Sequence, residues 1–248
     1  MKEQTSIEIK GLQMGYHGNV VLKSVDVELE TGKIIGIIGP NGSGKSTFIK
    51  GILGIVSKMS GSVTFFNQSL NAVRNRIAYV PQRESVDWDF PISVKELVEM
   101  GVYQPTKWWK KSSAADQENI KQAIEKVGLT AFASRQIGQL SGGQQQRSFV
   151  ARALVQNADL IIMDEPFVGI DMSSQEAILK LLQELRNDGK TILIVHHDLA
   201  TVANYFDKVM LFNNELVAYG SINEVITPTI LAPVYGSIVD FTQIKHHV

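Results

Sequence analysis

The sequence contains no cysteine among its 248 residues, which excludes a disulfide scaffold and a thiolate metal site. Long apolar runs are also missing: the longest ones, such as Leu160–Met163 and Ile192–Val195, are far too short to span a bilayer. Residues Met1–Gly11 contain no apolar stretch that resembles a signal peptide. These absences predict a soluble protein, so any membrane process that it serves needs another chain to do the spanning.

An excess of charge of either sign is absent too. The 24 Lys and Arg residues stand against 25 Asp and Glu residues, which gives a formal net charge of −1. Since no global field attracts nucleic acid or anionic lipid, we expect no nucleic-acid partner. The hydrophobic fraction of 44% is ordinary for a globular protein, and the length suits one large domain or a domain with a subdomain.

Short β-branched runs alternate with helical stretches, which predicts an α/β fold with a mainly parallel sheet. Three early strands, Ser6–Ile9, Val20–Leu22 and Val25–Leu29, are predicted to be antiparallel and to form an N-terminal β subdomain. The later predicted strands are Ile34–Ile38, Ser62–Phe66, Arg76–Val80, Leu160–Met163, Thr191–Val195, Val209–Phe212 and Leu216–Tyr219.

Three predicted helices follow one another with no strand between them: Ser93–Gly101, Ser113–Val127 and Gly142–Leu154. This succession predicts a helical subdomain inserted into the α/β core at about residues 86–156. We therefore predict a single domain over residues 1–220 and a C-terminal extension over 221–248. The other predicted helices are one from Ser46 to about Val56, Ser173–Leu185 and Leu199–Phe206.

The segment from Gly39 to Ser46 matches the P-loop pattern and lies where that pattern belongs, between a buried strand and a helix. Glycines let backbone N–H groups turn towards phosphate oxygens, and the helix N-terminus adds its dipole. Lys45 is expected to reach the β- and γ-phosphates, and the Ser46 hydroxyl to bind Mg²⁺. The predicted phosphate-binding residues are Gly39, Pro40, Asn41, Gly42, Ser43, Gly44, Lys45, Ser46 and Thr47.

Asp164 and Glu165 end an apolar strand. Because the ends of neighbouring strands meet at one edge of such a sheet, Asp164 is expected near the P-loop magnesium. Glu165 is then placed to orient and deprotonate the attacking water. Without the P-loop, the same pair would be read as surface carboxylates after a core strand.

A second anion site is predicted at the start of the helix that runs to Leu154. Residues Leu140–Gln144 read Leu-Ser-Gly-Gly-Gln, so a serine and bare backbone amides stand at a helix N-terminus. An ordinary N-capped helix start is equally consistent with the physics. The residues expected to contact phosphate there are Ser141, Gly142, Gly143 and Gln144.

The P-loop, the Leu-Ser-Gly-Gly-Gln turn and the Asp–Glu pair, in this order and spacing, resemble the ATP-binding cassette (ABC) ATPases. The resemblance runs from about Ile7 to Gly220. It implies that the chain hydrolyses ATP with Mg²⁺ as a head-to-tail homodimer, in which the P-loop of one subunit and Ser141–Gln144 of the other hold the same ATP.

The resemblance also gives roles to residues that carry weak signals alone. Tyr16 matches the aromatic residue that stacks on adenine, although a half-buried structural tyrosine is the alternative. Gln82 matches the glutamine that joins the magnesium shell and links it to the helical subdomain. Asp171 matches the aspartate of a loop that crosses the dimer interface, and His197 matches the γ-phosphate histidine.

Two histidine pairs invite a metal-site interpretation that we reject or leave open. His196 and His197 are adjacent on an extended segment, so their side chains point to opposite faces and joint chelation of one ion is not expected. His246 and His247 are interpreted as part of a frayed end, with chelation as the alternative.

A narrower resemblance, to the manganese/zinc/iron importer branch, is carried by Ser85–Pro91, Arg135–Gln139, Pro166–Asp171 and His196–Asp198. It implies a membrane permease and an extracellular metal-binding protein as partners, with this chain peripheral at the cytoplasmic face of the membrane. Manganese is the favoured cargo, with zinc or iron possible. An ABC ATPase for another cargo, or a soluble non-transport one, is the alternative.

Two aromatic segments have open interpretations. The acidic–aromatic segment Trp88–Phe90 suits a docking surface for a partner helix, or an anchor that packs the helical subdomain onto the core. The basic segment Lys107–Lys111 suits a solvated loop, with contact to a membrane surface as the alternative.

Overall fold

The computed structural model describes residues 5–16, 18–102 and 112–236. The predictions for Lys107–Lys111, His246 and His247 lie outside these ranges. A three-stranded antiparallel sheet begins the fold, with β1 (Thr5–Tyr16) between β2 (Asn19–Glu30) and a later strand, Lys58–Phe65, which is β4. This sheet confirms the predicted N-terminal β subdomain.

A six-stranded sheet forms the centre of the molecule. Its strands are β3 (Ile34–Ile38), β5 (Ile77–Val80), β6 (Leu160–Asp164), β7 (Thr191–Val195), β8 (Lys208–Phe212) and β9 (Leu216–Ser221). The spatial order is β5-β6-β7-β3-β8-β9, and only β9 pairs antiparallel. Strands β3, β6 and β7 are buried along their whole length, as expected of parallel strands covered on both faces.

Nine α-helices lie within the described residues. They are α1 (Lys45–Ile52), α2 (Leu70–Val73), α3 (Val94–Glu99), α4 (Ala114–Lys126), α5 (Gly142–Val155), α6 (Met172–Asn187), α7 (Val202–Tyr205), α8 (Ile222–Val225) and α9 (Pro228–Tyr235). Helices α3, α4 and α5 follow one another without a described strand between them and pack together. The inserted helical subdomain is thereby confirmed.

The central sheet separates two hydrophobic cores, because alternate residues of a strand point to opposite faces. Ile35 and Ile37 of β3 pack with α1 and the antiparallel sheet. Ile34 and Ile38 pack on the other face, with the helical subdomain and α6. The C-terminal helices join this second core through Val225 and Leu231, so the extension after residue 220 packs on the α/β core.

Several predicted boundaries are wrong, including those of the strands Ser6–Ile9 and Ser62–Phe66, which extend over Thr5–Tyr16 and Lys58–Phe65. The predicted strands Val20–Leu22 and Val25–Leu29 are one strand, β2, because pairing with β1 continues on both sides of a register shift at the polar residues between them. The first helix ends at Ile52 and does not reach Val56, because Gly54 takes a left-handed conformation at φ 67. The predicted helix Leu199–Phe206 is only the short helix α7.

Side-chain hydrogen bonds explain the short α7. The Asp198 carboxylate accepts from the backbone amide of Ala200 at 3.0 Å, and the Thr201 hydroxyl donates to the Asp198 carbonyl at 3.2 Å. Such local bonds offer the backbone an alternative to helix. Within the described residues, no helix combines the length and the apolar character needed to cross a membrane.

Candidate nucleotide site

Four neighbouring parallel strands carry the predicted catalytic residues to one edge of the central sheet. Strand β3 leads into the P-loop, β5 into Gln82, β6 into Asp164 and Glu165, and β7 into His197. The register places Asp164 level with Val195 of β7, and Val195 level with Ile37 of β3. The sheet therefore brings residues that lie far apart in sequence to a common edge, as the motif order predicts.

The P-loop residues form an open cavity of about 260 Å³ between the end of β3 and helix α1. Gly42 and Gly44 have φ angles of 81 and 96, a region that side-chain-bearing residues rarely adopt. Besides the loop, Val21 of β2 and Glu165 face this cavity. A phosphate chain that enters it therefore meets the loop backbone, Lys45 and the carboxylate that follows β6.

The Lys45 ammonium lies inside the loop. It donates hydrogen bonds to the carbonyl oxygens of Gly39 at 2.8 Å and Pro40 at 2.9 Å. Burial lowers the pKa of Lys45, whereas the nearby carboxylates Glu165 and Asp164 oppose that shift. A buried cation held only by neutral carbonyls is well placed to exchange them for phosphate oxygens, which compensate its charge better.

Ser46 and Asp164 form an oxygen-rich pair beside the P-loop. The Ser46 hydroxyl donates to the Asp164 carboxylate at 3.3 Å, and Asp164 is almost fully buried. Burial, followed by the charge of Glu165, raises the pKa of Asp164. Mg²⁺ prefers oxygen ligands and is commonly held by one or two carboxylates with substrate phosphates. A hydroxyl and a buried carboxylate at this separation fit such an ion.

Gln82 and Glu165 meet at the ends of neighbouring strands. The Gln82 side-chain amide donates to a carboxylate oxygen of Glu165 at 3.3 Å. Glu165 has φ 50, an unusual conformation for a residue other than glycine, and such backbone outliers cluster at functional sites. The turn after β6 thus aims the Glu165 carboxylate into the P-loop cavity, which it helps to line.

The turn before α5 is built as a helix N-terminus. The Ser141 hydroxyl accepts a hydrogen bond from the backbone N–H of Gln144 at 3.4 Å, and the side-chain oxygen of Gln144 accepts one from the backbone N–H of Ser141 at 3.0 Å. This pair of bonds is a capping box. A methyl group at Gly143 would lie 2.3 Å from the Ser174 hydroxyl, so only glycine fits there. None of Ser141–Gln144 lines the P-loop cavity, so this turn is a separate potential anion site.

Asp171 and Tyr16 occupy positions consistent with their predicted roles, which remain predictions. Asp171 caps α6: its carboxylate accepts from the Ser174 amide at 2.9 Å and from the Ser174 hydroxyl at 2.8 Å. These bonds lower the pKa of Asp171. Tyr16 is 42% exposed at the end of β1, opposite Asn19 at the start of β2. The same strand β2 contributes Val21 to the P-loop cavity.

The two adjacent histidines have opposite environments. His197 is exposed, whereas His196 is buried among the rings of Phe167, Tyr205 and Phe206. A ring nitrogen of His196 lies 2.7 Å from the Thr201 hydroxyl. Burial lowers the pKa of His196 to about 4. Within the described ranges, no cluster of three or more His, Cys, Asp and Glu residues is arranged to hold a metal ion.

The two aromatic residues of the segment Trp88–Phe90 differ in their exposure and in their contacts. The Trp88 indole is half-buried, donates to the carbonyl of Arg83 at 2.9 Å and packs edge-on against Phe149 of α5 at 5.7 Å. Trp88 thus packs the segment after β5 against the helical subdomain, which favours the anchor interpretation, and a docking role for Trp88 stays a prediction. Phe90 is 58% exposed and stays a candidate contact residue.

The sequence reasoning missed Arg83. Its guanidinium donates to the side-chain oxygen of Gln145 at 2.9 Å, which connects the residue after Gln82 to the helix behind the Ser141–Gln144 turn. The available signal was a charged residue directly beside Gln82. Its partner, however, lies 62 residues further along the chain and could not be identified by spacing.

Comparison with known proteins agrees with this geometry. The ABC transporter family profile matches residues 22–168. The chain is 46% identical over 238 residues to the manganese transport system ATP-binding protein MntB of Halalkalibacterium halodurans, covering 96% of this chain and 95% of that one. It is 46% identical over 237 residues to the zinc transport system ATP-binding protein TroB of Treponema pallidum, covering 96% and 89%.

Solved structures show the same fold. An ABC transporter described as of the metal-chelate type, in an inward-facing conformation, aligns with a TM-score of 0.81 and 27% identity over 94% of this chain and 89% of that chain. An ATP-binding cassette in its ADP conformation aligns with a TM-score of 0.78 and 28% identity over 92% and 96%. The chain belongs to the ABC transporter family, and it is an ATP-binding, ATP-hydrolysing cassette.

Proposed function

We propose that this chain is the ATPase subunit of an importer for a transition-metal ion, with manganese as the favoured cargo and zinc or iron as the other candidates. The convergence of Lys45, Gln82, Glu165 and His197 at one sheet edge carries the ATPase part of this proposal. The cargo rests on the printed names of the relatives, which specify manganese and zinc.

In the proposed reaction, the P-loop amides and Lys45 bind the β- and γ-phosphates, and Tyr16 stacks on the adenine. Glu165, oriented by Gln82, accepts the proton of the attacking water, and His197 contacts the γ-phosphate. Mg²⁺, held by Ser46 and Asp164 with Gln82 nearby, would neutralise charge that develops on the phosphates. Because the closed site excludes water, each of these interactions is stronger there.

The active form is proposed to be a head-to-tail homodimer. The separation of the Ser141–Gln144 turn from the P-loop cavity of the same chain supports this, because each turn is then free to bind the γ-phosphate held by the other subunit. Asp171 would lie near the boundary between the subunits. ATP binding closes the dimer, and hydrolysis with release of products reopens it.

Transport requires partners: two permease chains in the membrane and an extracellular metal-binding protein, with this subunit peripheral at the cytoplasmic face. An open groove of about 650 Å³ supports permease docking. It is lined by Asn71 and Arg74 at the α/β core and by Met100 and Asp116 of the helical subdomain. Movement of the subdomain would change the shape of this groove, and a permease helix seated there would be pushed.

The test is metal uptake by the source cells after removal of the chain. Uptake of radioactive manganese, zinc and iron is compared after re-supply of the wild type, of Lys45→Ala and of Lys180→Ala, a matched control at an exposed position of α6. Wild type and Lys180→Ala are expected to restore uptake of one metal, and Lys45→Ala is not. Unchanged uptake of all three metals in the cells that lack the chain would contradict metal import.

A further inference from the structure

Arg83 lies at the junction of three functional segments, and its own contacts define that junction. Its Nε donates to the Gln145 side-chain oxygen at 2.9 Å. Gln145 is only 4% exposed, and its amide nitrogen donates to the Ile137 carbonyl at 3.2 Å. Because both ends of the Gln145 amide are bonded, its oxygen is fixed in the direction of Arg83.

The guanidinium also lies close to glycines of two other segments. A methyl group at Gly142, the first residue of α5, would lie 3.5 Å from the Arg83 guanidinium carbon. One at Gly169, in the loop after Glu165, would lie 3.5 Å from a guanidinium nitrogen. Arg83 therefore lies next to both the Ser141–Gln144 turn and the loop that leads to Asp171.

The backbone of Arg83 is tied to the catalytic edge. The preceding residue, Gln82, donates to Glu165 at 3.3 Å, and the Trp88 indole donates to the Arg83 carbonyl at 2.9 Å. A continuous path of hydrogen bonds and one peptide link thus runs from Glu165 through Gln82 and Arg83 to Gln145.

We infer that Arg83 is a positioning residue that couples the two ATP sites of the dimer. This inference rests on the proposed function. In a head-to-tail dimer, Gln82 and Glu165 act on the ATP bound by their own subunit, whereas the Ser141–Gln144 turn acts on the ATP of the other subunit. Arg83 holds that turn in a fixed position relative to Glu165, so a change at one site alters the other.

A double-mutant cycle between Arg83 and Gln145 tests the inference on the full chain. Arg83→Met and Gln145→Leu are each expected to lower kcat about tenfold, since a hydrogen bond to a charged group is lost. KM for Mg-ATP and the affinity for nucleotide are expected to stay within about twofold, because the P-loop is untouched. The double variant should be no slower than either single variant.

Controls separate positioning from loss of structure. Arg135→Ala, at an exposed arginine beside Phe132, should leave kcat unchanged. Arg83→Lys keeps the charge but loses the planar fork, and it should lower kcat like Arg83→Met with an unchanged melting temperature. If Gln145→Leu does not fold, Arg83→Lys alone tests the inference. The inference would be overturned if the two losses of kcat multiply in the double variant. It would also be overturned if the loss of kcat in each variant parallels its loss of melting temperature.

Dimer formation distinguishes failure of the inference from failure of the proposed function. Glu165→Gln is expected to dimerise in Mg-ATP, and adding Arg83→Met should weaken that dimerisation about tenfold. If Glu165→Gln stays monomeric, the composite site itself is wrong. If it dimerises equally well with and without Arg83, the composite site stands and the role of Arg83 is refuted.

Discussion

The Gln82 side-chain amide donates a hydrogen bond to the Glu165 carboxylate across 3.3 Å, and this contact joins the ends of two neighbouring strands, β5 and β6. It connects the carboxylate proposed as general base to the segment that leads into the helical subdomain. One side-chain contact thus joins the Glu165 carboxylate to that segment.

Glu165→Gln is expected to bind ATP and to hydrolyse it 10²- to 10⁴-fold more slowly, roughly the contribution of a positioned general base. The amide keeps the size of the side chain but loses its basicity. With turnover blocked, ATP should hold the dimer closed. The measurements are steady-state ATPase activity and size-exclusion chromatography in saturating Mg-ATP.

Glu176→Gln, an exposed carboxylate on α6, is the matched control and should behave as the wild type. Activity of Glu165→Gln close to that of the wild type would show that the base is assigned wrongly. A variant that is inactive but stays monomeric would instead count against the closed dimer.

Lys45→Ala and Ser141→Arg should both abolish hydrolysis, for different reasons. The first variant removes a cation from the phosphates of its own subunit, and the second places bulk at the turn that faces the ATP of the other subunit. A mixed dimer can then contain one site with both defects and one with neither. Occlusion of a labelled ATP analogue at a single site per mixed dimer is expected, and equal occlusion at both sites would contradict the shared-site geometry.

Much of this site could be predicted because its signals are local. The continuous apolar run of β3, followed by glycines and Lys45, specifies a buried strand, a turn and a helix within a dozen or so residues. The relation of Asp164 to Ser46 also followed from sequence, because parallel strands share an edge.

What could not be predicted depends on contacts between distant segments. Trp88 is an anchor because Phe149 packs against it, and Arg83 joins the site because Gln145 accepts its hydrogen bond. Neither partner can be read from spacing. The short α7 has a different cause: the carboxylate of Asp198 and the hydroxyl of Thr201 compete for the backbone groups that a longer helix would use.

Trp88→Ala and Phe90→Ala should separate stability from assembly. Loss of the edge-on packing against Phe149 and of the bond to Arg83 should cost Trp88→Ala roughly 2 to 4 kcal/mol of unfolding free energy. Phe90 is 58% exposed, so Phe90→Ala should change stability by less than about 0.5 kcal/mol. The measurement is urea unfolding of each purified variant.

Assembly is measured by co-purification of the same two variants with the membrane chain. Phe90→Ala should reduce the recovered complex strongly, since one aromatic contact at an interface can contribute about 2 kcal/mol or more. Full recovery with Phe90→Ala would show that Phe90 is not a contact residue for the membrane chain. A stable Trp88→Ala protein would contradict the anchor.

The last prediction concerns the buried His196, whose pKa is lowered to about 4 by burial. The unfolded chain binds a proton at this residue below about pH 6.5, whereas the folded protein does so only below about pH 4. Stability is therefore complete above pH 6.5 and falls as the pH drops towards 4. Between pH 7 and pH 5 this residue should account for roughly 2 kcal/mol of lost unfolding free energy.

His196→Gln cannot titrate and keeps a polar group near the Thr201 hydroxyl, which lies 2.7 Å from the histidine ring. Urea unfolding at pH 7, 6 and 5 should show a smaller loss of stability for this variant than for the wild type, whatever its stability at pH 7. Parallel curves for His196→Gln and the wild type would mean that His196 gains its proton at about the same pH in the folded and the unfolded protein, and that the ring cluster of Phe167, Tyr205 and Phe206 does not exclude the charge.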